Sequence, residues 1–277
     1  MVGWVFLVGV AVTPEAQLAL GSEPDALARV SELEDRYGWV IDVERPYDLD
    51  ANWRGTIRIE PQWPVGRYRR HLEHISATAR DIERVFAFTR EHAQAAVRFR
   101  WRNLEMRVFR SVNRRTPSAY AGAWRIGYNV RGSLMRSERG VRETLFHELF
   151  HLNDENTLGG YWSDSALREI YVSIVARCAG DNSCLSRYAP GTTKVKGSTY
   201  YAFHPAEGVE EYAAELAARW YREHRRLADG RAVSAPFKCQ APENARAWTL
   251  MVDRFFGGID AVGSCSGHAA SAMSATR

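Results

Sequence analysis

The five residues His147-Glu148-Leu149-Phe150-His151 constrain this chain more than any other stretch. On a helix, positions i and i+4 share one face a turn apart. Two imidazoles held that way can both reach one tetrahedral Zn²⁺ at about 2.0–2.1 Å. Glu148 stands beside the first histidine, where a carboxylate can take a proton from a metal-activated water. The segment Ser137–Asn153 reads as a helix. Ser137 can cap its start, Glu138 suits the first turn, and Val141, Leu145, Phe146, Leu149 and Leu152 form an apolar stripe at helical spacing. A helix buried along that stripe would desolvate two His and a Glu at high cost unless they shared a partner. The spacing therefore predicts a metal site in preference to isolated surface or core histidines.

Such a site needs a third protein ligand and an open fourth position. The run Gly208-Val209-Glu210-Glu211-Tyr212-Ala213-Ala214-Glu215-Leu216-Ala217 reads as a strong helix with an apolar face of Val209, Tyr212, Ala213, Leu216 and Trp220. Glu211 is the best third ligand; Glu207, Glu210, Glu215 and His204 are the alternatives. Glu211 and Glu215 are one turn apart, so one can bind the ion while the other accepts the free N–H of a ligating His. Asp154, three residues after His151, is a second residue able to support the ligands from behind.

H-E-x-x-H followed on a second helix by Glu211-Tyr212-Ala213-Ala214-Glu215 resembles the gluzincin zinc metallopeptidases, most closely their lethal-factor-like branch. The resemblance covers about residues 103–258. It implies a zincin-like α+β fold, with a small mixed sheet backing the His helix and a mostly helical C-terminal subdomain. It also implies Zn²⁺ on His147, His151 and Glu211, Glu148 as general base, and a peptide or protein substrate pairing with an edge strand at Ala123–Val130. A tyrosine that donates to the developing oxyanion belongs to the same pattern. Tyr201 fits that role best, with Tyr200 and His204 as alternatives. A binding or toxin-like module that kept a zinc fold without proteolysis is the competing reading.

Composition agrees with an ordinary globular chain: 45% hydrophobic, 25% charged, formal net charge +4. That charge does not call for a nucleic-acid partner. The apolar stretch Met1–Val12 is too short to span a bilayer and matches the core of an export signal, with small residues for cleavage at Ala19-Leu20-Gly21. Four cysteines, Cys178, Cys184, Cys239 and Cys265, allow two disulfides, most simply by local pairing. Both features predict a secreted or periplasmic protein with no integral membrane segment once mature.

The expected organisation is a signal over 1–21, an N-terminal α/β region over 22–102, the catalytic region over 103–265 and a tail over 266–277. Helices are expected at Asp25–Tyr37, Val65–Ala96, Asp164–Ala179, Pro205–Leu227 and Glu243–Phe256, and strands at Trp39–Val43, Thr56–Ile59, Leu104–Val112 and Ala123–Val130. His71 and His74 lie beside Arg67-Tyr68-Arg69-Arg70, which reads as a solvated basic face. Val97–Arg102 alternates apolar and basic and reads as a helix end running into a half-wet strand, in preference to a nucleic-acid surface made by Arg98, Arg100 and Arg102. The loop Arg187–Thr199 is either a lid or a connector.

Overall fold

The computed structural model describes residues 14–51, 54–155, 160–195 and 199–265. The expected signal core before residue 14 and the tail 266–277 lie outside the described residues. The chain runs α1 (Pro14–Leu20), α2 (Pro24–Tyr37), β1 (Trp39–Val43), β2 (Tyr47–Asp50), β3 (Thr56–Pro61), α3 (Arg70–Arg90), β4 (Leu104–Ser111), β5 (Ala119–Gly122), β6 (Arg125–Asn129), α4 (Glu138–Glu155), α5 (Trp162–Ala166), α6 (Arg168–Cys178), α7 (Asn182–Leu185), α8 (Val209–Ala228) and α9 (Pro242–Phe255). The class is α+β, as the mixed pattern predicts. Two compact units share the chain: one holds the described residues up to Arg80 with Trp101–Leu145, the other Asp81–Arg100 with the described residues from Phe146 onward.

The first unit is a mixed sheet with helices. Strand order is β2-β3-β4-β6-β5, and β1 also pairs with β4. β4 is central: Leu104, Met106, Val108 and Phe109 are apolar and buried, the last two on opposite faces, and strands pair along both its edges. Parallel β1 pairs with Leu104–Val108, antiparallel β3 with Phe109–Ser111, and parallel β6 with Glu105–Phe109. α2 buries Ala26, Val30, Leu33 and Tyr37 along one stripe and stops at Gly38, whose φ of +68° gives the left-handed cap that turns the chain into β1.

Several expectations need correction. Ala123–Val130 is not an edge strand. Ala123 and Trp124 both have positive φ and turn the chain tightly, so Ala119–Gly122 folds back antiparallel on Arg125–Asn129. β5 takes the edge and β6 becomes interior. That hairpin turn lacks the Asn-Gly or Asp-Gly signal that normally reveals it. β2, among the Pro-bounded residues read as loop, is likewise a strand.

The long helix ends at Arg90, because the backbone beyond it is claimed by another segment. Gln94 and Ala95 donate to the Gly257 carbonyl, and Arg98 and Phe99 to that of Phe255. Val97–Arg102 is therefore an extended connector with Phe99 buried, neither helix end nor strand. Asp164–Ala179 is divided at Leu167 into α5 and α6.

His71 is not on a solvated face. It is buried and hydrogen-bonded through Nδ1 to the Tyr128 hydroxyl at 2.8 Å. Burial, then the charges of Arg70 and His74, pull its pKa down to about 4.

The second unit is held by an aromatic core. Phe146 of α4 stacks on Tyr221 of α8 (4.2 Å between ring centres) and on Phe99 (5.0 Å), while Trp220 stacks on Phe256 at 3.8 Å. Buried Asp81 accepts from the Tyr221 hydroxyl and, at 2.8 Å, from Arg225 Nε, which ties α8 to the middle of α3. Disulfides join Cys178 to Cys184 and Cys239 to Cys265, the local pairing expected, and they fit maturation in an oxidising compartment. Among the described residues no helix is long and apolar enough to cross a membrane. His224 is buried between the Trp220 carbonyl and the Ala261 N–H, and burial chiefly lowers its pKa to about 4.

His71 and His224 set an acid limit. Each has a folded pKa near 4 against about 6.5 unfolded. Their contribution is complete above about pH 6.5 and is lost as pH falls through about 4, because the unfolded chain binds protons first. Chemical-denaturant unfolding at pH 7 and pH 4.5 is expected to show a loss of several kcal/mol, on the order of 1.4 per pH unit per histidine. His224→Gln should flatten part of that slope; an unchanged slope would contradict the assignment.

Candidate metal centre

α4 begins where the Ser137 hydroxyl accepts the Gly140 N–H at 3.1 Å, the cap read from sequence. Its stripe is fully buried: Val141, Leu145, Phe146, Leu149 and Leu152 are all inaccessible. Phe146, next to His147, is locked in the aromatic stack, which fixes the turn that carries both histidines. α8 presents Glu211 in its first turn, two residues after its start at Val209.

Three of the expected residues meet. His147 Nε2 and His151 Nε2 lie 3.0 Å apart, and Glu211 Oε2 is 2.9 Å from the first and 3.5 Å from the second. Ligands on a tetrahedral ion at about 2.0–2.1 Å stand about 3.3–3.4 Å apart. Among the described residues, this is the one cluster whose His, Cys, Asp or Glu atoms could close around an ion. Glu207, Glu210, Glu215 and His204 are not in it. Glu211 Oε2 is buried, and although it lies 2.9 and 3.5 Å from the two imidazole nitrogens, its geometry to them is not that of a hydrogen bond. A buried carboxylate oxygen left so is costly, and a cation placed among the three side chains would relieve it. The donor set of two imidazoles and one carboxylate is that of hydrolytic zinc sites.

Electrostatics agree. Burial pulls His147 down, but contact with Glu211, its charge, and those of Glu148 and Glu215 outweigh this and raise it to about 9. His151 is raised too, burial being overcome mainly by Glu211. Burial pushes Glu211 up, but the two imidazoles hold it well below the usual carboxylate range. The group thus carries net negative pull on whatever cation, proton or metal, lies among its three atoms. Glu148 is buried, and burial raises its pKa against the lowering effect of the two histidines. A raised carboxylate suits proton transfer near neutral pH.

The supporting residues divide. Tyr201 packs its ring 6.2 Å from that of His147. Tyr200 pairs with Lys194 and stacks under its ammonium at 4.9 Å, and His204 Nδ1 takes the Ala206 N–H at 3.3 Å. Asp154 is buried and accepts from both the backbone N–H (2.8 Å) and hydroxyl of Ser163, which anchors α5; His151 lies close enough to lower its pKa, although burial wins and raises it.

Gly191, which sequence reasoning did not single out, lies against Glu215. A Cβ there would lie 1.6 Å from Glu215 Oε2, so the glycine lets that carboxylate lie against the backbone. Tyr188–Gly191 is buried, and Arg222 donates to the Pro190 carbonyl at 2.9 Å, so this part of the loop is a connector. A Pro-Gly pair reads only as a turn, and nothing near it announces a carboxylate from residue 215. Gly191→Ala is expected to leave the fold intact, since a flexible carboxylate can move aside. It should weaken zinc binding about tenfold, the low end for residues that support metal ligands, as measured by chelator competition. Unchanged affinity would remove Glu215 from the supporting set.

No family model matches this chain, and comparison with curated proteins and with solved structures found no match.

Proposed function

We propose that this chain is a zinc-dependent peptidase of the gluzincin type, with a zincin-like catalytic region. The observation that carries the reading is the convergence of His147 Nε2, His151 Nε2 and the orphaned Glu211 Oε2 within 3.5 Å of one another, with Glu148 adjoining. His147, His151 and Glu211 would hold the ion. Bound there, zinc supplies Lewis acidity that polarises a carbonyl and brings the pKa of water to about 7. Glu148 takes a proton from the attacking water and delivers it to the leaving amine. Tyr201, beside His147, donates to the oxygen that gains charge. Glu215 and Asp154 hold the local field and the turn after His151.

A second reading has one observation in its favour. His147 and Glu148 are buried, at 9% and 8% exposure, which also suits a zinc-fold module that binds without cleaving. The two are separated by assay of the purified chain on a mixed peptide library. A peptidase should cleave it, lose the activity to a chelator and regain it on addition of one equivalent of zinc. Stoichiometric zinc with no cleavage would favour the binding module.

A further inference from the structure

A basic cleft in the first unit is not used by the metal chemistry. Residues 67–71, Arg115 and residues 130–136 meet around about 770 Å³ lined by Arg67, Tyr68, Arg70, Arg115, Arg131 and Arg136. None of these five arginines has a carboxylate partner among the described residues. Arg58, Arg107, Arg110 and Arg125, on the sheet of the same unit, each have one. Guanidinium stays charged at any physiological pH. Five of them around one concavity whose lining holds no carboxylate create a strong positive potential.

The frame behind the arginines is fixed. Ser133 N–H donates to the Arg115 carbonyl at 2.8 Å, and Asn129 N–H to that of Ser118 at 3.1 Å. Buried Asn129 accepts the Arg131 and Ser111 N–H groups and donates to the Ser111 hydroxyl and the Pro117 carbonyl. Gly132 packs so closely on this turn that a Cβ would come within 2.8 Å of Ser118 Cα. His71, on the cleft wall, is neutral and braced by Tyr128. Arg67 lies 4.8 Å over the Tyr68 ring, so one wall offers a flat face. The arginines are thus presented from a preformed backbone, which lowers the ordering cost of binding.

We propose that this cleft binds a compact, multiply charged phosphate ligand. Arginine forks match phosphate oxygens in paired hydrogen bonds, and the volume falls within the roughly 300–1,000 Å³ of small-molecule sites. A duplex would need a longer basic track. This inference is independent of the metal centre.

The test is calorimetric titration of the full chain with inorganic tripolyphosphate at low ionic strength. Wild type should bind one equivalent. The double variant Arg115→Gln, Arg131→Gln should bind at least tenfold more weakly at an unchanged unfolding temperature. Arg246→Gln, an exposed arginine paired with Glu169, should bind as wild type does. Absence of binding, affinity untouched by the double variant, or equal weakening in the Arg246 control would overturn the proposal. So would duplex DNA that binds more tightly than tripolyphosphate and is weakened by the same double variant, since that would make the cleft a nucleic-acid surface.

Discussion

Glu148→Gln is expected to keep one zinc per chain and to lose peptidase kcat by about 10²–10⁴-fold. The residue adjoins the ligand trio without belonging to it, so an isosteric amide removes the proton acceptor and leaves the donor atoms in place. Burial holds the Glu148 carboxyl above its ordinary pKa, the direction that favours a group that both accepts and returns a proton. The loss should fall in kcat with KM little changed, the mark of a group that acts in the transition state. Full activity in this variant would assign the base elsewhere. Loss of zinc would mean that Glu148 is a ligand.

Glu211→Ala is expected to lower zinc affinity by about a hundredfold or more, beyond what a change behind the ligands produces. Two imidazoles on one helix turn would remain with no third protein donor, in a site buried enough that no surface carboxylate can replace it. The same carboxylate chiefly offsets burial to hold the His147 pKa up at about 9. In the metal-free variant that pKa should therefore fall toward or below the ordinary 6.5, which histidine NMR titration can follow. Glu215→Ala is the comparison: it should weaken zinc about as far as Gly191→Ala does. If Glu215→Ala cost more zinc affinity than Glu211→Ala, the two glutamates would exchange roles.

The parts of this molecule legible from sequence are those set by short-range pattern. The His helix was readable because its cap, apolar stripe and ligand spacing all lie within 17 residues. α2 with Gly38, α8 and α9 were readable for the same reason. Glu211 could be chosen over Glu207, Glu210 and Glu215 by resemblance and helix spacing, but periodicity alone could not show that its Oε2 reaches both imidazoles. What stayed hidden depends on tertiary contact. The Ala123-Trp124 turn has neither Gly nor Asn, so the β5–β6 hairpin and the true sheet edge could not be foreseen. Glu91–Arg102 carries helix-compatible residues, yet its N–H groups bond to Phe255 and Gly257, far along the chain. His71 looked wet beside four basic and aromatic neighbours because only the fold brings Tyr128 over it.

The central claim is that His147, His151 and Glu211 close around one cation. Metal analysis of chelator-stripped and zinc-reloaded protein tests it most directly. Wild type should retain one zinc per chain after desalting, and the triple variant His147→Ala, His151→Ala, Glu211→Ala should retain none while keeping both disulfides. Wild type that holds no zinc, or a triple variant that holds as much as wild type, would contradict it.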